Sequence, residues 1–243
     1  MWAEILLVSA GGFLAAFCAS IAGFAFVLVG AAVLLQFMAP ALVAPILVIG
    51  SLIVQGIGTV AVWRDIPWPR MWLYVGTATL GIPLGIAVLA LGPARWIVAG
   101  VGVLLVVYAG YTLARIALRM APARLHASTG RDAAVGFASG ILGGIGGYVG
   151  ALVGMWADMQ AMAPRDTRAL MQPFIAIMQA ITILGLAFTG FFTREAAILT
   201  ATAVPALLLG TWLGLRAGKR LPAQGFRLVL LSLLLVSGIF LLL

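Results

Sequence analysis

Seven stretches of this chain carry no charged side chain: 5–63, 71–94, 96–114, 133–157, 169–193, 196–215 and 228–243. All but the last reach the roughly 18 apolar residues of a bilayer-crossing helix. The last can borrow Gln224–Phe226. With 64% hydrophobic and 8% charged residues, almost no length is left for a soluble domain. The chain reads as a polytopic helical membrane protein. Its N-terminus lacks the basic n-region of a cleavable signal, and its apolar run continues far past position 20. A single cysteine, Cys18, allows neither an internal disulfide nor a cysteine metal cluster. The net charge of +8 fits basic loops that set topology, not a nucleic-acid surface.

The two halves resemble each other. "GFLAAFCASIAGF" (12–24) aligns with "GFASGILGGIGGY" (136–148) at an offset of 124. The same offset pairs "FMAP" (37–40) with "AMAP" (161–164), and Gln55 with Gln179. At an offset of 129, Gly81, Gly85 and Pro93 pair with Gly210, Gly214 and Pro222. Residues 1–118 and 132–243 therefore read as two copies of one unit. A basic linker, 119–131, joins them.

Charge decides how each copy opens. As one straight helix, 5–39 would be about 52 Å long, against a hydrocarbon core of about 30 Å. If each opening segment crossed once, the fourteen positive charges would split seven to seven. If each turns back, one side carries Arg64, Arg70, Arg115, Arg119, Arg124, Arg131, Arg165, Arg168, Arg216, Lys219, Arg220 and Arg227. The other side keeps Arg95 and Arg194. That uneven split is the one the positive-inside rule expects.

The expected fold is therefore all-α and polytopic, with two inverted repeats. Each repeat is a broken or re-entrant helical hairpin plus three transmembrane helices. Repeat 1 has a hairpin at 5–39 and spans at 41–63, 71–93 and 95–116. Repeat 2 has a hairpin at 133–160 and spans at 168–192, 195–216 and 225–243. The hairpin arms are expected at roughly 5–20, 24–37, 133–144 and 148–160. The crowded side would be cytoplasmic and both termini outside, in a bacterial-type inner membrane. Inverted repeats are a transporter architecture, with the site near the midplane.

"SGILGGIGGYVGALVG" (139–154) holds seven glycines in sixteen residues. It is no dinucleotide fingerprint: Val149 stands where the third glycine belongs, and no strand precedes it. Nor is it a P-loop, since no lysine follows. Gly140/Gly144, Gly143/Gly147, Gly146/Gly150 and Gly150/Gly154 are GxxxG pairs suited to close helix packing. "GGIGG" (143–147) also sits where the segment must turn; the first copy has "CASIAG" (18–23) there. Packing face and deliberate break both stay open. A tip inside the bilayer would start its second arm near the membrane centre. Such helix N-termini carry unpaired N–H groups and attract anions.

"GFASGILGGIGGYVGALVGMWADMQAMAPRDTRALMQPF" (136–174), with the two-copy layout and "GIPLG" (81–85), resembles the sulfite exporter TauE/SafE family, the toluene sulfonate uptake permeases. The resemblance implies a membrane transporter, often an exporter, of small sulfur-containing anions such as sulfite or sulfonates like sulfoacetate. In repeat 1, Ala22-Gly23-Phe24 replaces the family's glycine-rich run, which moves the expected anion site toward the repeat 2 tip. The candidate substrate-binding residues are Gly144, Gly146, Gly147 and Tyr148 at that tip, and Ser20 and Gly23 at the first. Gln55, Gln172 and Gln179 are buried-amide donors, and Arg168 supplies a fork suited to a sulfonate. Each has a plainer role beside it: helix–helix glue for the glutamines, a snorkelling anchor for Arg168, packing for Ser20.

All six acidic residues and His126 fall outside the spans or at their ends. No titratable pair reaches the centre, so an enzyme is not expected, nor a metal or cofactor. The expected partners are the anion and the bilayer; a homo-oligomer is left open. The rival reading is a non-transporting membrane assembly factor.

Overall fold

The computed structural model describes residues 2–118, 125–126, 128–218 and 223–243. They form ten α-helices and no strand: α1 (Trp2–Ala22), α2 (Phe26–Leu34), α3 (Pro40–Val62), α4 (Trp68–Leu91), α5 (Ala94–Ala117), α6 (Thr129–Gly146), α7 (Val149–Met159), α8 (Pro164–Phe188), α9 (Arg194–Ala217) and α10 (Ala223–Phe240). A 3-10 turn, Trp63–Asp65, extends α3. Six helices, α1, α3, α4, α5, α8 and α9, are long and apolar enough to cross a membrane.

Both opening segments are broken, and at corresponding places. Gly23 and Gly147, 124 positions apart, hold left-handed backbone at φ 97° and 84°. Each caps the preceding helix: Gly23 N–H donates to Ala19 O and Gly147 N–H to Gly143 O, both at 2.6 Å. A side chain there would be strained, which is why a residue without Cβ stands at each break. After Gly23 the chain folds back. Gly11 lies against Leu34, and Gly30 against Ala15, so α2 runs antiparallel to α1. Likewise Val149 meets Gly143 and Trp156 meets Asp132, so α7 returns along α6.

The first arms are longer than the sequence suggested. α1 reaches 21 residues. α6 begins at Thr129, inside the stretch read as linker, because the Ser128 hydroxyl accepts the Arg131 N–H at 3.3 Å and caps it. α8 opens at Pro164 instead of 168, since proline at the first turn needs no N–H partner. The rest of the basic linker lies largely outside the described residues.

Glycine faces set the closest approaches. α4 and α6 run parallel, with Gly81 over Phe137 and Ile141 and Gly85 over Ile141 and Gly144. A β-carbon on Gly85 would sit 2.8 Å from the Gly144 Cα, and one on Gly144 would sit 2.6 Å from the Ile86 nitrogen. α1 and α9 pair the same way, with Gly210 against Phe13 and Gly214 against Phe17 and Ser20. Each glycine costs about 1 kcal/mol of helix propensity. The loss is offset by backbone-to-backbone packing that lipid cannot replace. The GxxxG pattern is thus used by Gly140 and Gly144 on α4, while Gly147 makes the break.

α3 and α8 cross the centre antiparallel, with 61% and 67% of their apolar windows buried against 39–44% for the other long helices. α5 and α10 pair antiparallel through Gly102 and Gly238. Phe24 and Ile145, beside the two breaks, pack on both apolar cores. Both break regions therefore lie within the packed interior of the bundle.

These directions gather Arg64, Arg70, Arg115, Arg131, Arg165, Arg168 and Arg216 at one end, with Arg95 and Arg194 at the other. Arg119, Arg124, Lys219 and Arg220 lie outside the described residues.

Candidate functional site

Each tip is supported by a glutamine amide on the long helix that follows its hairpin. Gln55 Nε2 on α3 donates to Gly23 O at 3.2 Å. Gln179 Nε2 on α8 donates to Gly147 O at 2.9 Å and to Ser51 Oγ at 3.2 Å. A left-handed cap leaves its carbonyl outside the helix ladder, and a buried carbonyl without a donor costs about 1–3 kcal/mol. The glutamines supply those donors and hold the breaks in place. Both are buried, at 1% and 0% exposure.

The second arms begin without help. Ser128 caps α6 and Thr193 caps α9, and α3, α4 and α8 have proline in the first turn. α2 and α7 have neither device, and their N-caps, Ala25 and Tyr148, make no side-chain hydrogen bond. The first-turn N–H groups of α2 have no partner inside the helix, while in α7 the Ala151 N–H turns back to Tyr148 O at 3.2 Å.

The tips differ in their surroundings. At the first, Arg168 reaches over from α8, and its Nη2 donates to Ile21 O at 2.6 Å. Its Cγ lies 3.2 Å from where a β-carbon on Gly23 would be. A cavity of about 220 Å³ opens there, lined by Gly23, Phe24, Tyr108, Asp158, Thr167 and Arg168 among others. Asp158 is held by Arg115, which donates from Nη1 to its backbone carbonyl at 3.0 Å and brings Nη2 to 3.9 Å from its carboxylate. Its charge is therefore matched without Arg168. At the second tip the neighbouring cavity, about 280 Å³, is apolar and lies against Trp96, Ile97, Leu104, Leu142, Ile145 and Tyr148.

The expected site residues thus fall into groups. Gly23, Gln55 and Arg168 meet at the first tip; Gly147, Tyr148 and Gln179 meet at the second. Gly146 lies beneath the Tyr148 ring, and Gly144 faces α4. Gln172 sits one turn beyond Arg168 against Gly58, with its Oε1 unpartnered. Ser20 faces Gly214 on α9, and its hydroxyl is also unpartnered. Arg165 points away and forms an exposed fork on Asp65, its Nη2 2.9 Å from Oδ1.

One polar centre was not foreseen. Asp132, read from sequence as a residue at a span's end, is 3% exposed. It accepts from Arg70 Nε at 2.9 Å, Arg70 Nη2 at 3.2 Å, Tyr74 OH at 2.7 Å and Trp156 Nε1 at 2.6 Å. Arg70 Nη2 also donates to Gln160 Oε1 at 2.6 Å. This hub ties the base of both arms of the second hairpin to α4. The sequence signal was faint: an acid in the first turn of a helix, with an arginine and a tryptophan elsewhere at the same end.

Set beside known proteins, residues 8–241 match a family model described as "Sulfite exporter TauE/SafE", so both hairpins and all six long apolar helices but the first few residues of α1 are covered. The chain belongs to the sulfite exporter TauE/SafE family. No curated protein and no solved structure matches it. TauE/SafE proteins are membrane transporters, not enzymes.

Proposed function

We propose that this TauE/SafE protein exports small sulfur-containing organic anions, sulfonates such as sulfoacetate or sulfite itself, by alternating access. On this reading the chain is two inverted repeats, and the anion rests near the midplane against hairpin-tip N–H groups. Equivalent helices of the two copies run in opposite directions: α3 against α8 and α5 against α10. The two breaks stand 124 positions apart, and each holds its carbonyl on a glutamine, Gln55 or Gln179, that is also 124 positions from the other. Both support the reading.

The observation that carries the site is Arg168 beside Gly23, one copy's arginine on the other copy's tip, in a cavity at the basic end of the bundle. The Arg168 guanidinium beside the Gly23 turn offers a charged donor to a sulfonate's three oxygens. Phe24, Tyr108 and Met171 give its organic part apolar contacts. With the basic end cytoplasmic and both termini outside, export is favoured by about 2.3 kcal/mol per charge per 100 mV, so no proton relay is required.

The test is flux of sulfite and sulfoacetate in liposomes holding the purified protein, with the membrane potential set. Arg168→Gln should weaken anion binding roughly 30-fold, about 2 kcal/mol for lost charge-assisted hydrogen bonds. Arg168→Lys should recover part of it. Flux of neither anion would leave the assembly-factor reading standing; unchanged affinity in Arg168→Gln would misplace the site.

A further inference from the structure

The second tip carries a set of oxygens that nothing in anion binding employs. Only the NH2 end of Gln179 can face Gly147 O, so its Oε1 is fixed on the other side. That Oε1 has no partner, although the residue is 0% exposed. It lies 3.0 Å from where a β-carbon on Gly147 would be. One turn along α8, Thr182 is also 0% exposed and its Oγ1 unpartnered. Helical threonines elsewhere in the chain behave differently. Thr59, Thr79, Thr112, Thr200 and Thr211 each donate to the carbonyl four residues earlier at 2.7–2.8 Å. Thr182 does not back-bond; its Oγ1 instead faces α6, 3.9 Å from a β-carbon position on Gly143. Ser139, one turn before Gly143 on α6, is a second fully buried hydroxyl without a partner.

Gln179 and Thr182 stand beside the last turn of α6, while Ser139 lies two turns before its end. Tyr148 N–H donates to Leu142 O at 3.2 Å, so the ladder ends early and the Gly144, Ile145 and Gly146 carbonyls receive no later helical N–H. That end is the negative pole of the helix dipole. Neutral hydroxyl, amide and carbonyl oxygens at a broken helix end are the donor set of a dehydrated monovalent cation. A divalent ion would call for carboxylates, and the set contains none. The first tip lacks the set: the position 124 residues before Thr182 is Gly58. It has Arg168 instead, whose counterpart near the second tip is Ala44.

We infer that Gln179 Oε1, Thr182 Oγ1 and the carbonyl end of α6 bind a monovalent cation, Na+ or K+, at the second tip. The inference goes beyond the anion reading and gives the transporter a coupling ion. Its test is thermal unfolding of the purified protein in NaCl, KCl or choline chloride at one ionic strength. Na+ or K+ should raise the melting temperature saturably over choline. Thr182→Val should remove that shift, whereas Thr59→Val should keep it. Arg168→Gln should keep the cation shift while losing the anion's, so the two sites fail separately. Equal melting in the three salts, the outcome if a buried water completes these oxygens, would overturn the assignment. A shift that survives Thr182→Val would also overturn it. Should that variant fail to fold, binding of radioactive Na+ to the unaltered protein decides. Label displaced by unlabelled Na+ or K+ but not by choline supports the site; no displaceable label overturns it.

Discussion

Replacing Asp132 by asparagine tests whether the second hairpin is held at its base by charge. The carboxylate accepts four hydrogen bonds, two from Arg70 and one each from Tyr74 and Trp156. Asparagine keeps one acceptor oxygen and turns an NH2 group toward donors. Breaking a buried ion pair costs about 3–5 kcal/mol. Arg70 is a quarter exposed, at 25% against 5% for Asp132, so water recovers part of its solvation. The expected loss is then about 2–3 kcal/mol. For a chain of this size each kcal/mol moves the melting temperature by about 2–4 °C, giving a fall of roughly 4–12 °C. Thermal unfolding of the purified protein, followed by tryptophan fluorescence, reads it. A cycle with Arg70→Met should show coupling of at least about 1 kcal/mol. A fall below about 2 °C, or single effects that simply add, would refute the reasoning. The exposed Arg165–Asp65 pair provides the contrast: Arg165→Ala should cost less than about 1 kcal/mol.

Two further outcomes follow from the packing. Gly85→Ala and Gly144→Ala each push a β-carbon onto backbone of the facing helix, and neither α4 nor α6 can yield, so folded protein should be lost in size-exclusion profiles. Gly56→Ala and Gly100→Ala meet open space and should raise stability by up to about 1 kcal/mol through helix propensity. Gln55→Leu and Gln179→Leu should each destabilise by about 1–3 kcal/mol, because a buried tip carbonyl loses its donor. Gln179→Leu should cost more, since it also abandons Ser51, and unfolding of the two variants side by side checks the order.

The helices were legible because seven uncharged stretches leave the backbone little else to form, and the turn-back was legible because charge had to fall on one side. What a polar residue at depth would touch was not. Gln55 and Gln179 stand out in any reading of the sequence, yet each spends its NH2 on a carbonyl 32 residues away. That partner exists only once α3 and α8 cross the tips. Arg168 reads in sequence more as an anchor than as a ligand, and its contact with Ile21 spans 147 residues. Asp132 escaped notice for the same reason: its burial is made by Arg70, 62 residues earlier, and Trp156, 24 later. Local pattern gives the element, while tertiary approach gives the partner.

That distinction also bears on how two copies of one unit would come to differ. Where the copies agree, the residues serve the backbone: Gly23 with Gly147 for the break, Gln55 with Gln179 for its carbonyl. Loss of either would leave an unsatisfied group at membrane depth, so neither copy has freedom there. Where they disagree, the residues differ in charge and polarity. Ala44 against Arg168, and Gly58 against Thr182, change what a tip can hold without changing how it is held. A positive side chain beside one uncapped helix start and bare oxygens beside the other helix end suit opposite charges. On the inverted-repeat reading, the two tips then hold an anion and a cation within one bundle, and each ion helps to neutralise the other where the bilayer makes a lone charge most costly.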